Sequence, residues 1–141
     1  MNISQLGSDL AVSPQISPSD LDQIAAAGFK ILINNRPDSE VDDDMSSDVM
    51  RQAAEKAGLT YHYIPFTPGQ LTPDLITAFE EAKDGRPALA YCRSGNRSSV
   101  LWALSQAGRL ASDDIMERAA SAGHDLSSLR PMLDTWGNQR R

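Results

Sequence analysis

Residues 87–99 read Pro87-Ala88-Leu89-Ala90-Tyr91-Cys92-Arg93-Ser94-Gly95-Asn96-Arg97-Ser98-Ser99. The first five are a short apolar run of strand length that leads directly into Cys92. From about Ser98 to Ala107 the pattern is that of an amphipathic helix, stopped by Gly108. A buried strand that passes through a tight loop into a helix is the repeating unit of a sheet with helical crossovers.

The same alternation extends on both sides. Leu10-Ala11-Val12-Ser13 reads as a weak first strand. Ser17-Pro18-Ser19-Asp20 then opens a helix, with a hydroxyl cap, proline at the first helical position and an acid in the first turn. That helix carries Leu21, Ile24 and Ala25 on one face and stops at Gly28. Lys30 to Asn34 is a buried strand, and a helix over about Ser47 to Ala57 follows. Thr60 to Ile64 is strand-like and ends at Pro65. Thr72-Pro73-Asp74 starts a helix that runs to about Lys83, and further helices open at Ser112 and near Asp125. The expectation is one α/β domain over 1–141, with C-terminal helices in 110–141. Its mainly parallel central sheet has four to five strands flanked by helices. Sites on such sheets gather outside the carboxyl ends of the strands. Here those ends are Asn34-Asn35-Arg36, Pro65 to Gly69, and Cys92 to Arg97.

Composition narrows the function. The 141 residues are 40% hydrophobic, enough for a packed core, and a single cysteine excludes a disulfide scaffold. No apolar run approaches the ~18 residues of a membrane span, and the start MNISQLGSDL lacks the marks of a secretory signal. A cytoplasmic location with no membrane partner is expected, where a lone thiol stays reduced. The net charge of −6 argues against nucleic acid as a partner. That charge is concentrated: Asp38, Glu40, Asp42, Asp43, Asp44 and Asp48 lie together without a Lys or Arg. Such a run reads first as a solvated, mobile loop, and second as a cation-attracting or anion-repelling flap beside a site.

The chemistry sits in the loop after Tyr91. Gly95 can adopt a positive φ, so that successive backbone N–H groups from Arg93 to Ser98 turn toward one point. The following helix adds unpaired N–H groups and the positive end of its dipole, and Arg93 and Arg97 add charge. An anion or a thiolate is stabilised there. Cys92 is the first residue of this loop, and a thiolate is the form that attacks. Most single cysteines are small buried hydrophobes, but the position, the glycine and the two arginines together favour a nucleophile.

Cys92-Arg93-Ser94-Gly95-Asn96-Arg97-Ser98 resembles the active-site loop of rhodanese-type sulfurtransferases. The wider chain resembles the bacterial phosphatase-like domain found alone or fused to a beta-lactamase-like metallohydrolase. The match runs from about Leu10 through Gln15-Ile16-Ser17, Ala27-Gly28-Phe29-Lys30, Ile33-Asn34-Asn35-Arg36-Pro37-Asp38 and Tyr63-Ile64-Pro65 to Gly108. This second resemblance implies a fold similar to dual-specificity protein phosphatases, that is, cysteine-phosphatase-like. It also makes a metallohydrolase a partner to test.

Two features separate sulfur from phosphate chemistry. Cysteine phosphatases place five residues between nucleophile and arginine, whereas four separate Cys92 from Arg97. Phosphatases of this fold also carry an aspartate in the loop after the strand that precedes the cysteine strand. Here Phe66-Thr67-Pro68-Gly69-Gln70-Leu71 has no carboxylate, and Asp74 belongs to a helix start. Both favour a sulfurtransferase that passes sulfur through a Cys92 persulfide, with phosphoester hydrolysis and a non-catalytic anion sensor as alternatives. The expected partners are a donor such as thiosulfate or a small persulfide, and a thiol or cyanide acceptor. Cys92 and Arg97 are the catalytic candidates. Arg93, Ser94, Gly95, Asn96, Ser98 and Arg36 are the substrate-binding ones, with Ser94 and Ser98 offering hydroxyl protons to the sulfur. Neither a cofactor nor a metal is implied, since His62 and His124 lack ligand-spaced neighbours. Asn34 and Asn35 read as turn-holding residues. Trp102 reads as packing, and Arg140 and Arg141 as a frayed tail.

Overall fold

The computed structural model describes residues 2–140, without the side chain of Arg140. Five strands form one sheet: β1 (Ser4–Gln5), β2 (Leu10–Ser13), β3 (Ile31–Asn34), β4 (Thr60–Tyr63) and β5 (Ala88–Tyr91), in the order β1-β2-β5-β3-β4. All neighbours are parallel except β1, which runs antiparallel to β2. β1 has no counterpart in the sequence reading, because two polar edge residues show no period.

Register places the site. Tyr91 lies beside Ser13 on one side and Asn34 on the other, and Asn34 faces Tyr63. The loops that follow these residues therefore all leave from one edge. Asn35 N–H donates to the Tyr91 carbonyl at 2.8 Å, which extends the ladder one step past the strands.

Alternation along the strands divides the core in two. Ala11, Leu32, Leu89 and Tyr91 face α1 (Leu21–Ala26) and α2 (Ser47–Lys56), against Leu21, Ile24, Met50 and Ala54. Leu10, Val12, Ile31, Ile33, Ala88 and Ala90 face the other way. They meet α3 (Pro73–Ala82), α4 (Asn96–Gln106), α5 (Ser112–Ser121) and α6 (Arg130–Arg140). Small Ala88 and Ala90 on the central strand leave room for α4 to lie close.

The structure corrects two expectations about α4. It starts at Asn96, with Gly95 as its cap, rather than near Ser98. It is also not amphipathic: Ser98, Ser99 and Leu101 through Ser105 are all buried. The sheet covers one face, while Ile115, Ala119 and Leu133 from the C-terminal helices join the cluster over the other. The serines in its interior satisfy themselves locally, Ser99 Oγ donating to the Gly95 carbonyl and Ser105 Oγ to that of Trp102. Trp102 packs as expected and is almost wholly buried. Arg141 lies outside the described residues, and α6 runs through Arg140. Among the described residues no helix is long and apolar enough to cross a membrane.

Candidate active site

Cys92 follows β5 and is fully buried. Gly95 takes φ +92 and ψ −9, and this turn brings its N–H to 3.1 Å from Cys92 Sγ. The Gly95 carbonyl then accepts the Ser99 N–H, so one residue both faces the sulfur and starts α4. A Cβ at this position would lie 3.3 Å from His124 Nε2 and from the Ser13 carbonyl group. Gly95→Ala is therefore expected to cost about 1–2 kcal/mol in backbone strain alone. It should also slow Cys92 alkylation by displacing the N–H donor. A thermal melt and an iodoacetamide time course check both.

Arg97 occupies the arginine end of the site. Its Nη1 donates to the Phe66 carbonyl at 2.7 Å and to Glu40 Oε2 at 2.8 Å, and its Nη2 donates to Glu40 Oε1 at 2.7 Å. Fork and carboxylate thus meet in a two-pronged pair. Arg36 approaches from the loop after β3. Its Nη1 donates to Gln15 Oε1 at 3.1 Å and its Nη2 to the Glu40 carbonyl at 2.9 Å, while Nε lies 3.5 Å from Glu40 Oε1. The hydrogen bonds from Arg97, helped by its charge and by Arg36, hold the Glu40 carboxyl below the usual range against a smaller opposing effect of desolvation. Arg97 is pushed up in turn, first by Glu40 and then by proximity to Cys92. Glu40 is consequently an ionised acceptor at neutral pH, not a proton donor.

This overturns the view of residues 38–48 as a mobile, solvated loop. The segment forms two 3₁₀ turns, Asp38–Glu40 and Asp43–Met45. Asp38 Oδ1 accepts the Ser47 N–H at 2.7 Å, and the Asp38 N–H donates to Tyr63 Oη at 2.9 Å. Only Asp42, Asp43, Asp44 and the helical Asp48 behave as a solvated run. With Glu40 between them, Arg36 and Arg97 give the site one net positive charge rather than two.

Of the two serines, Ser98 has its proton committed elsewhere. Ser98 Oγ donates its proton to Asn35 Oδ1 at 2.8 Å and so cannot give it to the sulfur. Ser94 is exposed, and its Oγ accepts the Asn96 N–H at 3.3 Å as a local cap. Asn96 and Arg93 are exposed, and the Arg93 carbonyl accepts the Gln15 N–H at 3.2 Å. Asn35 instead joins the loops: its Nδ2 donates to the Ile64 carbonyl at 2.8 Å and its own carbonyl accepts the Phe66 N–H at 2.9 Å. Asn34 holds its turn by accepting the Arg36 N–H.

Two residues of the site escaped the sequence reading as participants. Glu40 was hidden within a run whose charge density signals solvent. His124, which stood out only for lacking ligand-spaced neighbours, is brought against Gly95 by the packing of α5 beside α4, and burial pushes its imidazole toward the neutral form. Asp74 lies exposed in the first turn of α3, behind the Thr72 cap, as its context suggested.

Residues 2–109 match the family model described as beta-lactamase hydrolase-like protein, phosphatase-like domain. A beta-lactamase hydrolase-like protein of Xylella fastidiosa is 33% identical over 131 residues, covering 89% of this chain and 30% of the relative. The chain thus spans about a third of the length of that curated relative. A Neisseria meningitidis protein of known structure, described provisionally as a phosphatase, is 36% identical with a TM-score of 0.84, over 96% of this chain and 99% of the other. A kinase-associated phosphatase with its catalytic-site cysteine replaced by serine shares the fold, at 12% identity and a TM-score of 0.72, over 92% of this chain and 86% of that one.

Proposed function

The chain belongs to the phosphatase-like domain family of beta-lactamase hydrolase-like proteins; we propose that it is a cysteine-nucleophile enzyme and, from the state of its arginine fork rather than from that family, that Cys92 carries sulfane sulfur. The observation that supports sulfur over phosphate is the state of the arginine fork. Arg97 follows Cys92 after only four residues, and ionised Glu40 already fills both of its Nη positions. Phosphoryl transfer from an unactivated ester would need that fork for a dianion and a protonated acid for the leaving oxygen. The loop after β4 supplies a carbonyl to Arg97 but has no carboxylate of its own.

Persulfide transfer asks for less. The Cys92 thiolate attacks the outer sulfur of a donor R–S–S⁻, forming one S–S bond as another breaks, and RS⁻ leaves. With thiosulfate the leaving group is sulfite. The new Cys92 persulfide is stabilised by the Gly95 N–H and the start of α4. An acceptor thiolate or cyanide then attacks the terminal sulfur, departs with it and restores the Cys92 thiolate. No net proton or electron is gained in either half, and ping-pong kinetics follow. With no second cysteine in the sequence, the sulfur leaves to another molecule.

A second reading, phosphoester hydrolysis through a Cys92 phosphoenzyme, is favoured by the likeness to phosphatases. A paired assay on the wild-type protein separates the two. Cyanide with thiosulfate, or with an alkyl persulfide, should yield thiocyanate, and donor alone should leave the intact protein heavier by one sulfur atom. Aryl phosphate should turn over no faster than in buffer. Phosphate release without a sulfur adduct would reverse the assignment, and sluggish alkylation with neither activity would point to an anion-sensing module.

A further inference from the structure

We propose that Glu40 is the charge-selecting residue of this site: an internal carboxylate that holds the Arg97 fork and excludes dianionic ligands in favour of singly charged ones. Three observations carry this. First, both Nη atoms of Arg97 are within 2.8 Å of Glu40 oxygens, which is the geometry an external oxyanion would otherwise adopt. Second, Glu40 is placed rather than merely nearby. Arg36 grips its backbone carbonyl, and Asp38, two residues before, is tied to Tyr63 and Ser47. Third, the charges alternate through the site. Glu40 lies between Arg97 and Arg36 and cancels one of their two charges, so an incoming dianion meets one net positive charge rather than two.

The consequence for ligands is arithmetical. Each negative charge on an incoming molecule meets Glu40 a few ångströms away across a half-buried site, where like charges repel by more than thermal energy. A doubly charged oxyanion meets this repulsion twice, and a singly charged one once. Glu40 therefore sets the ratio of their affinities, independently of shape. Resting on the sulfur-transfer reading, the preferred donors are persulfides, which bring one charge at the transferring end, and thiosulfate is disfavoured.

Sulfate and methanesulfonate test this, since they share a tetrahedral oxyanion and differ by one charge. Their dissociation constants are measured by titration calorimetry on wild type, Glu40→Gln and Glu40→Asp. Glu40→Gln should shift the affinity ratio toward sulfate by roughly tenfold, whereas Glu40→Asp, which keeps the charge, should stay within about threefold of wild type. An unchanged ratio in Glu40→Gln overturns the proposal, as does equal behaviour of the Gln and Asp variants, or binding of neither anion by any of the three. A thermal melt confirms that each variant is folded. Thiosulfate turnover relative to alkyl persulfide turnover should rise in Glu40→Gln by a similar factor. If the sulfate ratio shifts but no protein transfers sulfur, charge selection stands and the sulfur reading falls. If sulfur is transferred but the ratio does not shift, the sulfur reading stands and charge selection falls.

Discussion

Cys92→Ser should abolish sulfur transfer, with a loss of about a thousandfold or more, while leaving the protein folded. The substitution is close to isosteric, and a serine Oγ can accept the same Gly95 N–H that reaches Cys92 Sγ at 3.1 Å. The buried position keeps a hydrogen-bonding partner, so the change in stability should stay within about 1 kcal/mol. Chemistry is another matter. A serine hydroxyl must lose its proton to a base to become a competent nucleophile. The carboxylate of Glu40 has both oxygens committed to Arg97. Arg97 itself cannot accept a proton. The Gly95 N–H and the start of α4 are donors and cannot take a proton from an alcohol. Thiocyanate formation and the mass of the donor-treated protein should therefore both fall to background. Persistence of transfer in the variant would mean that sulfur moves directly from donor to acceptor without a Cys92 intermediate.

Much of this site was legible before any coordinates, because its parts are local. A short apolar strand, a cysteine, a glycine and a helix lie within twenty residues, and each element follows from a periodicity or a turn preference. Gly95 was readable as the residue that takes a positive φ, and the structure bears this out. What local reading missed was set by partners far along the chain. Ser98 is adjacent to Arg97 and looks like a donor to the sulfur, yet Asn35, 63 residues earlier, takes its proton. Glu40 stands in an acidic run, and its two-pronged pair with Arg97, 57 residues later, distinguishes it from its solvated neighbours. The α4 surface looked amphipathic because its serines resemble a solvent face. Ser99 and Ser105 turn their hydroxyls to the helix's own carbonyls, and residues of α5 and α6 join the apolar cluster around the helix. Those two helices lie beyond the matched family region of 2–109, and the turn after α5 supplies His124 beside Gly95.

Asn35→Ala should be among the most destabilising single substitutions, lowering stability by about 2–4 kcal/mol and Tm by roughly 8–15 °C. Asn35 is fully buried at the end of β3, and its side chain joins the loop after β4 to the first turn of α4. One end donates to the Ile64 carbonyl at 2.8 Å and the other accepts from Ser98 Oγ at 2.8 Å. Alanine leaves both of those groups without their partner and opens a small void where the amide was. Asn35→Asp keeps the size and the acceptor for Ser98, but replaces the donor with an oxygen facing a carbonyl, so it should destabilise as well. Activity should fall with stability, because the Asn35 side chain holds the Ile64 carbonyl, two residues before Phe66, whose own carbonyl holds Arg97. A double-mutant cycle gives the sharper test. Ser98→Ala alone strands the Asn35 oxygen, and Asn35→Ala alone strands the Ser98 hydroxyl. In the double variant neither of these two groups remains to be stranded, so its loss should be smaller than the sum of the singles by about 1 kcal/mol. Strict additivity in denaturant unfolding would show that Asn35 and Ser98 are not energetically coupled, and that the bond between them is not what holds the cysteine loop to the end of β3.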